Sequence, residues 1–208
     1  MTTAPASLIL ASSSKYRQEL LARLKIPFIS VPPELDETPL SHEAPEQLAL
    51  RLAIAKAQRV AQSYPASVVI GADQVASLHG TPLGKPGHAA AAQAQLQQLS
   101  GQTVTFFSAM AVVSNGQVQS IVVTTDCVYR TLSAAAIVRY LAIDLPFDTA
   151  GSAKAECLGI ALMQSMHSSD PTAIIGLPLI ELTRMLAKVG LDPLEPPPLF
   201  LATPFSNT

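Results

Sequence analysis

The sequence predicts an α/β fold, because short apolar runs typical of buried strands alternate with segments that repeat apolar residues at helical spacing. The chain has 208 residues, enough to bury about 70% of its unfolded surface. Hydrophobic residues make up 49% of it and charged residues 13%, which excludes a disordered chain, since disorder requires low hydrophobicity and high net charge. We expect one domain over residues 1–192 and a mobile, proline-rich tail over residues 193–208.

The first half of the chain is predicted to fold as strand, serine loop, helix, edge segment, helix and strand. Residues 7–11 form a short apolar run, and residues 45–63 show helical spacing after a proline that suits a first helical turn. Prolines within residues 26–40 predict a loop or an edge strand. Residues 68–72 are continuously apolar, as in a central strand, and we expect Asp73 to end that strand.

The second half is predicted to contain two hairpins, three helices and a late strand. Asn115-Gly116, between two apolar runs, is typical of a two-residue hairpin turn, and Ser133 is typical of a helix cap. The predicted segments are a hairpin over residues 75–83, helices over 89–99, 133–141 and 178–189, strands over 103–113, 118–129 and 158–163, and loops over 84–87 and 146–157.

Composition also limits the partners and the location. A net charge of −2 argues against a nucleic-acid duplex as the main partner, because such proteins favour a basic face. No run approaches the roughly 18 apolar residues of a membrane span, and the first residues carry no Lys or Arg. We therefore expect a cytoplasmic protein with no nucleic-acid or membrane partner, whose two cysteines are reduced thiols.

A serine loop separates the first strand from the first helix. Ser12 and Ser14 precede a helix N-terminus, where free N–H groups and the positive end of the dipole favour phosphate. Arg17, one turn into the helix, has the planar donors to bind a phosphate group. Serines also cap helices in many proteins, so the motif by itself leaves phosphate binding and capping open.

Two lysines and two acids are further candidates. Lys56 lies in line with apolar residues of its helix, so it either extends along the core edge or points into a cleft. Asp73 follows a buried strand, where ligands bind in open α/β sheets, and is a metal ligand, a general base or a cap. Lys85, between Gly84 and Pro86, suits phosphate binding and solubility equally, and Glu37 in its loop is either functional or merely solvated.

Together these side chains match a metal-assisted phosphate site. Arg17, Lys56 and Lys85 are three of only 13 basic residues, and Asp73 and Glu37 are hard oxygen ligands. Magnesium binds in proteins through one or two carboxylates together with substrate phosphates. The combination is therefore what a phosphate-handling enzyme would use.

The order of the motifs resembles the Maf family of nucleotide pyrophosphatases from residue 8 to about residue 193. No single segment is specific, but the ordered set is. The segments that carry the resemblance are residues 8–17, 36–39, 53–57, 70–75, 84–86, 99–101, 150–152 and 175–178. Lys15 and Gln18 stand where the family usually has a proline and a second arginine.

The resemblance implies hydrolysis of a nucleoside triphosphate to the monophosphate and diphosphate. It implies an elongated Maf-like α/β fold, in which a mixed twisted sheet and its flanking helices form two lobes around a cleft. It also implies a homodimer and a divalent cation, Mg²⁺ or Mn²⁺. Asp73 falls where the family places its proton acceptor, and with Glu37 it is a candidate metal ligand. The other polar cleft positions of the family are occupied by Ser12, Arg17, Glu37, Lys56 and Lys85.

Three positions that separate branches of the family are occupied by Tyr16, Gln74 and Glu156, which looks like the 7-methyl-GTP branch. The dTTP/UTP branch typically has Arg, Thr or Ser, and Gln there. N7-methylguanine carries a positive charge, and an aromatic face such as Tyr16 can stack on a cation for about 0.5–2 kcal/mol. A carboxylate such as Glu156 can accept from the guanine N1–H and the exocyclic amine. The resemblance therefore implies an enzyme that removes modified nucleotides.

Two alternatives stay open. The same enzyme could prefer dTTP, UTP or another modified nucleotide. The chain could instead be a non-catalytic, nucleotide-binding regulator of cell division, a role that has been linked to this family. Asp73 weighs against the second alternative, because a protein that only binds has no need of a proton acceptor.

Overall fold

Seven strands form one mixed sheet in the computed structural model, which describes residues 7–195. The strands are β1 (Leu8–Ala11), β2 (Phe28–Ser30), β3 (Val68–Leu78), β4 (Thr81–Leu83), β5 (Thr103–Ser114), β6 (Gln117–Tyr129) and β7 (Met163–Ser168). The α-helices are α1 (Lys15–Ala22), α2 (Pro45–Ala61), α3 (Ala89–Leu99), α4 (Ala134–Asp144) and α5 (Leu179–Ala187). Most of the predicted tail, residues 196–208, lies outside the described residues, so its mobility stays a prediction.

The strand order is β2-β1-β3-β5-β6-β7, with β4 beside β3. Strands β2, β1 and β3 run parallel, and the other pairs are antiparallel. The predicted α/β class with a mixed sheet is confirmed. None of the helices described for residues 7–195 is long and apolar enough to cross a bilayer.

Local signals placed several boundaries correctly. The Ser14 hydroxyl caps α1, and the Ser133 hydroxyl caps α4 by accepting from the N–H of Ala136. Asn115 and Gly116 have φ angles of 51° and 76°, the left-handed pair that a tight turn between β5 and β6 requires. The edge strand predicted within residues 26–40 is β2.

The prediction that Asp73 ends its strand is wrong. Strand β3 continues to Leu78 without a break, because β5 pairs with it from Val69↔Val113 to Ser77↔Thr105. The hairpin expected over residues 75–83 is therefore the end of β3 turning into β4. Asp73 lies in the middle of a strand and not at a carboxyl end.

The strand predicted over residues 158–163 is also wrong. Residues Leu158–Leu162 form a 3-10 helix, and the strand starts only at Met163. Gly159 packs so tightly that a Cβ there would lie 2.5 Å from the Lys154 carbonyl oxygen. A short apolar run cannot by itself distinguish a strand from a helical turn, and here the compact turn prevails.

The two largest core clusters lie towards opposite ends of the sheet. One packs α3 and α4 against the start of β5 and the end of β6. Its largest buried members are Leu96, Leu99, Phe106, Tyr129, Ile137 and Tyr140. The other packs α1 and α5 on β1 and β3, with Leu8, Leu10, Leu20, Leu21, Leu177 and Leu182. Two cores joined by one sheet agree with the two lobes that the family resemblance implies.

The two lobes meet at the part of β3 that lies between its pairing with β1 and its pairing with β4. Strand β1 pairs with β3 only as far as Ala11↔Gly71, and β4 begins only at Ala76↔Leu83. Residues 72–75 therefore have no strand partner on that edge. The serine loop follows β1 directly, so it ends beside this gap.

Candidate active site

The centre of the candidate site is a buried ion pair. Lys56 Nζ lies 2.6 Å from Asp73 Oδ1 and 2.8 Å from Glu37 Oε1. Lys56 and Asp73 are 5% and 7% exposed, whereas Glu37 is largely exposed. The second Asp73 oxygen bonds to no described residue, and no polar side-chain atom described here is both buried and unpartnered, so that oxygen reaches solvent.

A glycine determines how closely α2 approaches β3. A Cβ on Gly71 would overlap the Ala53 carbonyl oxygen and lie 2.5 Å from the Ala57 nitrogen. Only a residue without a side chain allows the helix to lie this close to the strand. Lys56 precedes Ala57 and Asp73 is two residues beyond Gly71, so this contact brings the two charges together.

The loop that carries Glu37 is held by a second set of contacts. Arg51 on α2 donates to the Glu43 carboxylate from both Nε and Nη2, at 2.6 and 2.8 Å, and to the Thr38 carbonyl. The hydrogen bonds from Arg51 lower the pKa of Glu43 to about 2. Asp36 accepts from the backbone and the hydroxyl of Thr38, which closes the turn around Glu37.

Arg17 reaches the same region from α1. Its Nε donates to the Gly176 carbonyl at 3.0 Å. Burial lowers the pKa of the Arg17 guanidinium, and the nearby carboxylates of Asp73 and Glu37 oppose that shift. Within the serine loop, Ser12 accepts from the N–H of Ser14, and both hydroxyls stand at the start of α1.

Gln74 points to the other face of the sheet from Asp73, since neighbours in a strand alternate. Its amide nitrogen lies 2.8 Å from Ser108 Oγ, and 3.0 Å from each of the Ala173 and Ile174 carbonyl oxygens. Those carbonyls belong to the 3-10 helix Ala173–Ile175, which together with Gly176 we call the 173–176 turn. The turn therefore contacts both Gln74 and Arg17.

The residues that hold this turn were not singled out from the sequence. Asp170, 1% exposed, accepts from the backbone and hydroxyl of Thr172 and from the N–H of Ile180 at the start of α5. The Thr172 hydroxyl oxygen also lies 2.9 Å from the Leu177 carbonyl oxygen, so its one hydrogen is shared between Asp170 and that carbonyl. Asp170-Pro171 is typical of a turn and gives no sign of this role, and Ser108 has no local signal at all, because its partners are distant in sequence.

The other predicted site residues, Tyr16, Lys85 and Glu156, form no hydrogen bond or ion pair with Lys56 or Asp73. Lys154 Nζ is 5.9 Å from the centre of the Tyr16 ring and 3.3 Å from Asp148 Oδ1, so it links α1 to the loop that follows α4. Glu156 and Lys85 are exposed and have no ion pair or side-chain hydrogen bond with any residue in 7–195. The structure thus brings Lys56, Asp73 and Glu37 into contact, with Arg17 nearby, whereas Lys85 and Glu156 form no ion pair or side-chain hydrogen bond with them.

Two carboxylates are available for a metal ion. In residues 7–195 there is no group of three acidic, histidine or cysteine side chains that could enclose one. Asp73 and Glu37 both contact the same ammonium group, so they are close neighbours. Two carboxylates suit a magnesium-type ion whose other ligands are substrate phosphates and water.

Comparisons with known proteins match this chain over most of its length. A sequence model of the family described as Maf-like protein matches residues 7–189. The 7-methyl-GTP pyrophosphatase of Bordetella pertussis is 59% identical over 93% of this chain and 98% of its own. The proteins of that name from Paraburkholderia xenovorans and Ralstonia nicotianae are both 53% identical, over 89% and 88% of this chain and 93% and 95% of theirs. A solved HAM1 protein from Coxiella burnetii has a TM-score of 0.45 at 16% identity, over 60% of this chain and 73% of that chain.

Proposed function

The chain belongs to the Maf family, and we propose that it is a nucleoside triphosphate pyrophosphatase that hydrolyses 7-methyl-GTP to the monophosphate and diphosphate. Water adds to the α-phosphorus, the bond to the bridging oxygen breaks, and diphosphate leaves. The observation that supports the reaction is the contact of one buried lysine with two carboxylates beside Arg17. The substrate is proposed from the names of the full-length relatives.

Asp73 is the proposed proton acceptor. Lys56 donates to its Oδ1 and orients the carboxylate, which leaves Oδ2 open to accept a proton from the attacking water. Holding the carboxylate by one oxygen while the other faces solvent is the arrangement that a general base requires.

The cations stabilise the charge of the triphosphate. Arg17 is oriented by the Gly176 carbonyl, and Lys56 is oriented by its two carboxylates, so little reorganisation is needed when phosphate binds. Ser12 and Ser14 are proposed to bind phosphate with the first N–H groups of α1. Lys85, exposed on its loop, is proposed to bind the diphosphate end.

We propose that a divalent cation, Mg²⁺ or Mn²⁺, would be held by the carboxylates of Asp73 and Glu37 together with the substrate. It would supply charge neutralisation on the phosphate oxygens.

Three side chains are proposed to select the base. Tyr16 offers an aromatic face to the positively charged ring of N7-methylguanine. Glu156 is exposed and offers carboxylate oxygens to the N–H groups of the base. Gln74 lies next to Asp73 on the stretch of β3 that has no strand partner on the edge shared by β1 and β4. The homodimer, the cytoplasmic location and the absence of a nucleic-acid partner stay predictions.

The test is release of diphosphate by the purified full chain with Mg²⁺ or Mn²⁺. The nucleotide panel is 7-methyl-GTP, GTP, dTTP, UTP and CTP. We expect the highest kcat/KM for 7-methyl-GTP. A preference for dTTP or UTP would contradict the proposed substrate and keep the reaction, whereas no release from any nucleotide by folded protein would favour the non-catalytic regulator.

A further inference from the structure

The orientation of the Gln74 side-chain amide is determined by its neighbours. Carbonyl oxygens only accept hydrogen bonds, so the two carbonyls of Ala173 and Ile174 must face the amide nitrogen and not the amide oxygen. Ser108 strengthens this arrangement, because it donates to the Ala173 carbonyl at 2.7 Å and accepts from Gln74. If the amide were flipped, its oxygen would face the carbonyl oxygens of Ala173 and Ile174, and none of the three could donate.

The amide oxygen of Gln74 is the atom left for a ligand. It accepts no hydrogen bond from any residue in 7–195, and Gln74 is only half-buried, so the oxygen reaches solvent. Gln74 stands in the stretch of β3 between the end of β1 and the start of β4. The residue that carries this oxygen therefore lies on the part of β3 where the two lobes meet.

We propose that Gln74 acts towards the base only as a hydrogen-bond acceptor, and that Ser108 and the 173–176 turn are the positioning groups that prevent it from donating. This inference rests on the proposed function, in which Gln74 contacts the base. A glutamine on a free side chain could turn its amide to match either a carbonyl or an N–H. Here it can match only an N–H.

The consequence is a rule for the substrate. Gln74 and Glu156 together present acceptors only, so the preferred base needs two N–H donors on one edge. The guanine edge offers N1–H and the 2-amino group side by side. Uracil and thymine offer a single N–H between two carbonyls, and those carbonyls would face acceptor oxygens. A base with that edge is disfavoured at both positions.

The experiment removes one donor of the base at a time. The substrates are 7-methyl-GTP, 7-methyl-ITP, which lacks the 2-amino group, and 1,7-dimethyl-GTP, which lacks N1–H. The variants are Gln74→Leu, which has no acceptor, and Glu156→Leu as the matched change at the other acceptor. For the wild type we expect each missing donor to lower kcat/KM about fivefold or more, the effect of one lost hydrogen bond.

In Gln74→Leu, one of these two losses should shrink to less than twofold, because the acceptor of that hydrogen bond is already gone. In Glu156→Leu, the other loss should shrink for the same reason. Should Gln74→Leu fail to fold, Gln74→Lys keeps donors for the two carbonyls and still has no acceptor. If the variants at position 74 lose as much as the wild type with both analogues, the inference is wrong. If the wild type releases no diphosphate at all, the proposed function fails first and the inference falls with it.

Discussion

Lys56 and Asp73 form a buried ion pair, with Nζ 2.6 Å from Oδ1, at the point where α2 touches β3. Neither charge is sealed in an apolar core without compensation, because Lys56 also contacts Glu37 and the second Asp73 oxygen reaches solvent. Removing one partner of a buried pair leaves the other uncompensated, whereas the pair itself adds little to stability. The arrangement is thus better explained by chemistry than by stability.

Asp73→Asn should lower kcat for 7-methyl-GTP by about 10²–10⁴-fold, because an amide cannot accept the proton that a general base removes. The asparagine oxygen can still accept from Lys56, so the fold should persist. Steady-state kinetics and a thermal melt check both statements. The matched control is Asp126→Asn, on β6, where the carboxylate accepts from Thr105. Wild-type turnover by folded Asp73→Asn would contradict the assignment.

Gly71→Ala should destabilise the protein by about 3 kcal/mol, since the new methyl group would overlap backbone atoms of α2 that cannot move aside alone. Activity should fall with stability, because the displaced helix carries Lys56. Chemical denaturation measures the loss. Gly84→Ala is the control: a Cβ there meets nothing within 4 Å, so its stability should change by less than about 0.5 kcal/mol. Equal stability of the two variants would refute the close-approach argument.

The Glu43–Arg51 contact should make stability depend on pH in the acid range. Hydrogen bonds from Arg51 lower the pKa of Glu43 from 4.5 to about 2 in the folded state. The ionised form therefore stabilises the fold fully above the unfolded value, and this contribution is lost as the pH falls towards 2. The difference in Tm between the wild type and Glu43→Gln should be largest near neutral pH and shrink below about pH 4.5. A difference that stays constant through that range would show that Arg51 does not hold the carboxylate.

Lys154→Met should raise the preference for 7-methyl-GTP over GTP. The Lys154 ammonium lies 5.9 Å from the Tyr16 ring centre, so a cationic base that stacks on this ring would compete with it. A cation–π contact of about 0.5–2 kcal/mol corresponds to a change of about two- to thirtyfold in the ratio of kcat/KM values. Tyr16→Leu in the same background should cancel the gain. An unchanged or lower ratio in Lys154→Met would count against stacking on Tyr16.

The two cysteines should differ sharply towards alkylating reagents. Cys127 is fully buried on β6, and burial raises the pKa of its thiol to about 12, while Cys157 is exposed. Mass spectrometry of the folded chain at about pH 8 should show one label, and of the unfolded chain two, because the thiolate is the reactive form. Folded Cys157→Ser should remain unlabelled. Rapid labelling of Cys127 would mean that the β6 core opens.

Much of the fold follows from patterns within short segments. Ser14 and Ser133 cap helices, Asn115-Gly116 makes a hairpin turn, and the prolines before residue 40 leave only a short edge strand. These features act over a few residues, so the local sequence is enough to predict them. The side chains proposed for a phosphate site could also be recognised in the sequence. Three of them, Lys56, Asp73 and Glu37, are in contact in the structure.

The two errors in the fold come from contacts that no local pattern contains. Asp73 stays within β3 because β5, thirty-odd residues further on, pairs with both sides of it in register. The 158–162 segment becomes a 3-10 helix because Gly159 packs on the Lys154 backbone and its N–H bonds to Asp144. Tertiary pairing outweighs local preference in both places.

The sequence by itself determined the class of the fold, the order of its elements and the family to which the chain belongs, because periodicity, caps and ordered motifs are properties of neighbouring residues. Only the tertiary structure decided what each polar side chain faces. Lys56 could have extended along the core edge, and Gln74 could have presented either end of its amide. Partners 17 residues away for Lys56, and 34, 99 and 100 residues away for Gln74, settle both, since hydrogen bonds and charges act between atoms that folding brings together.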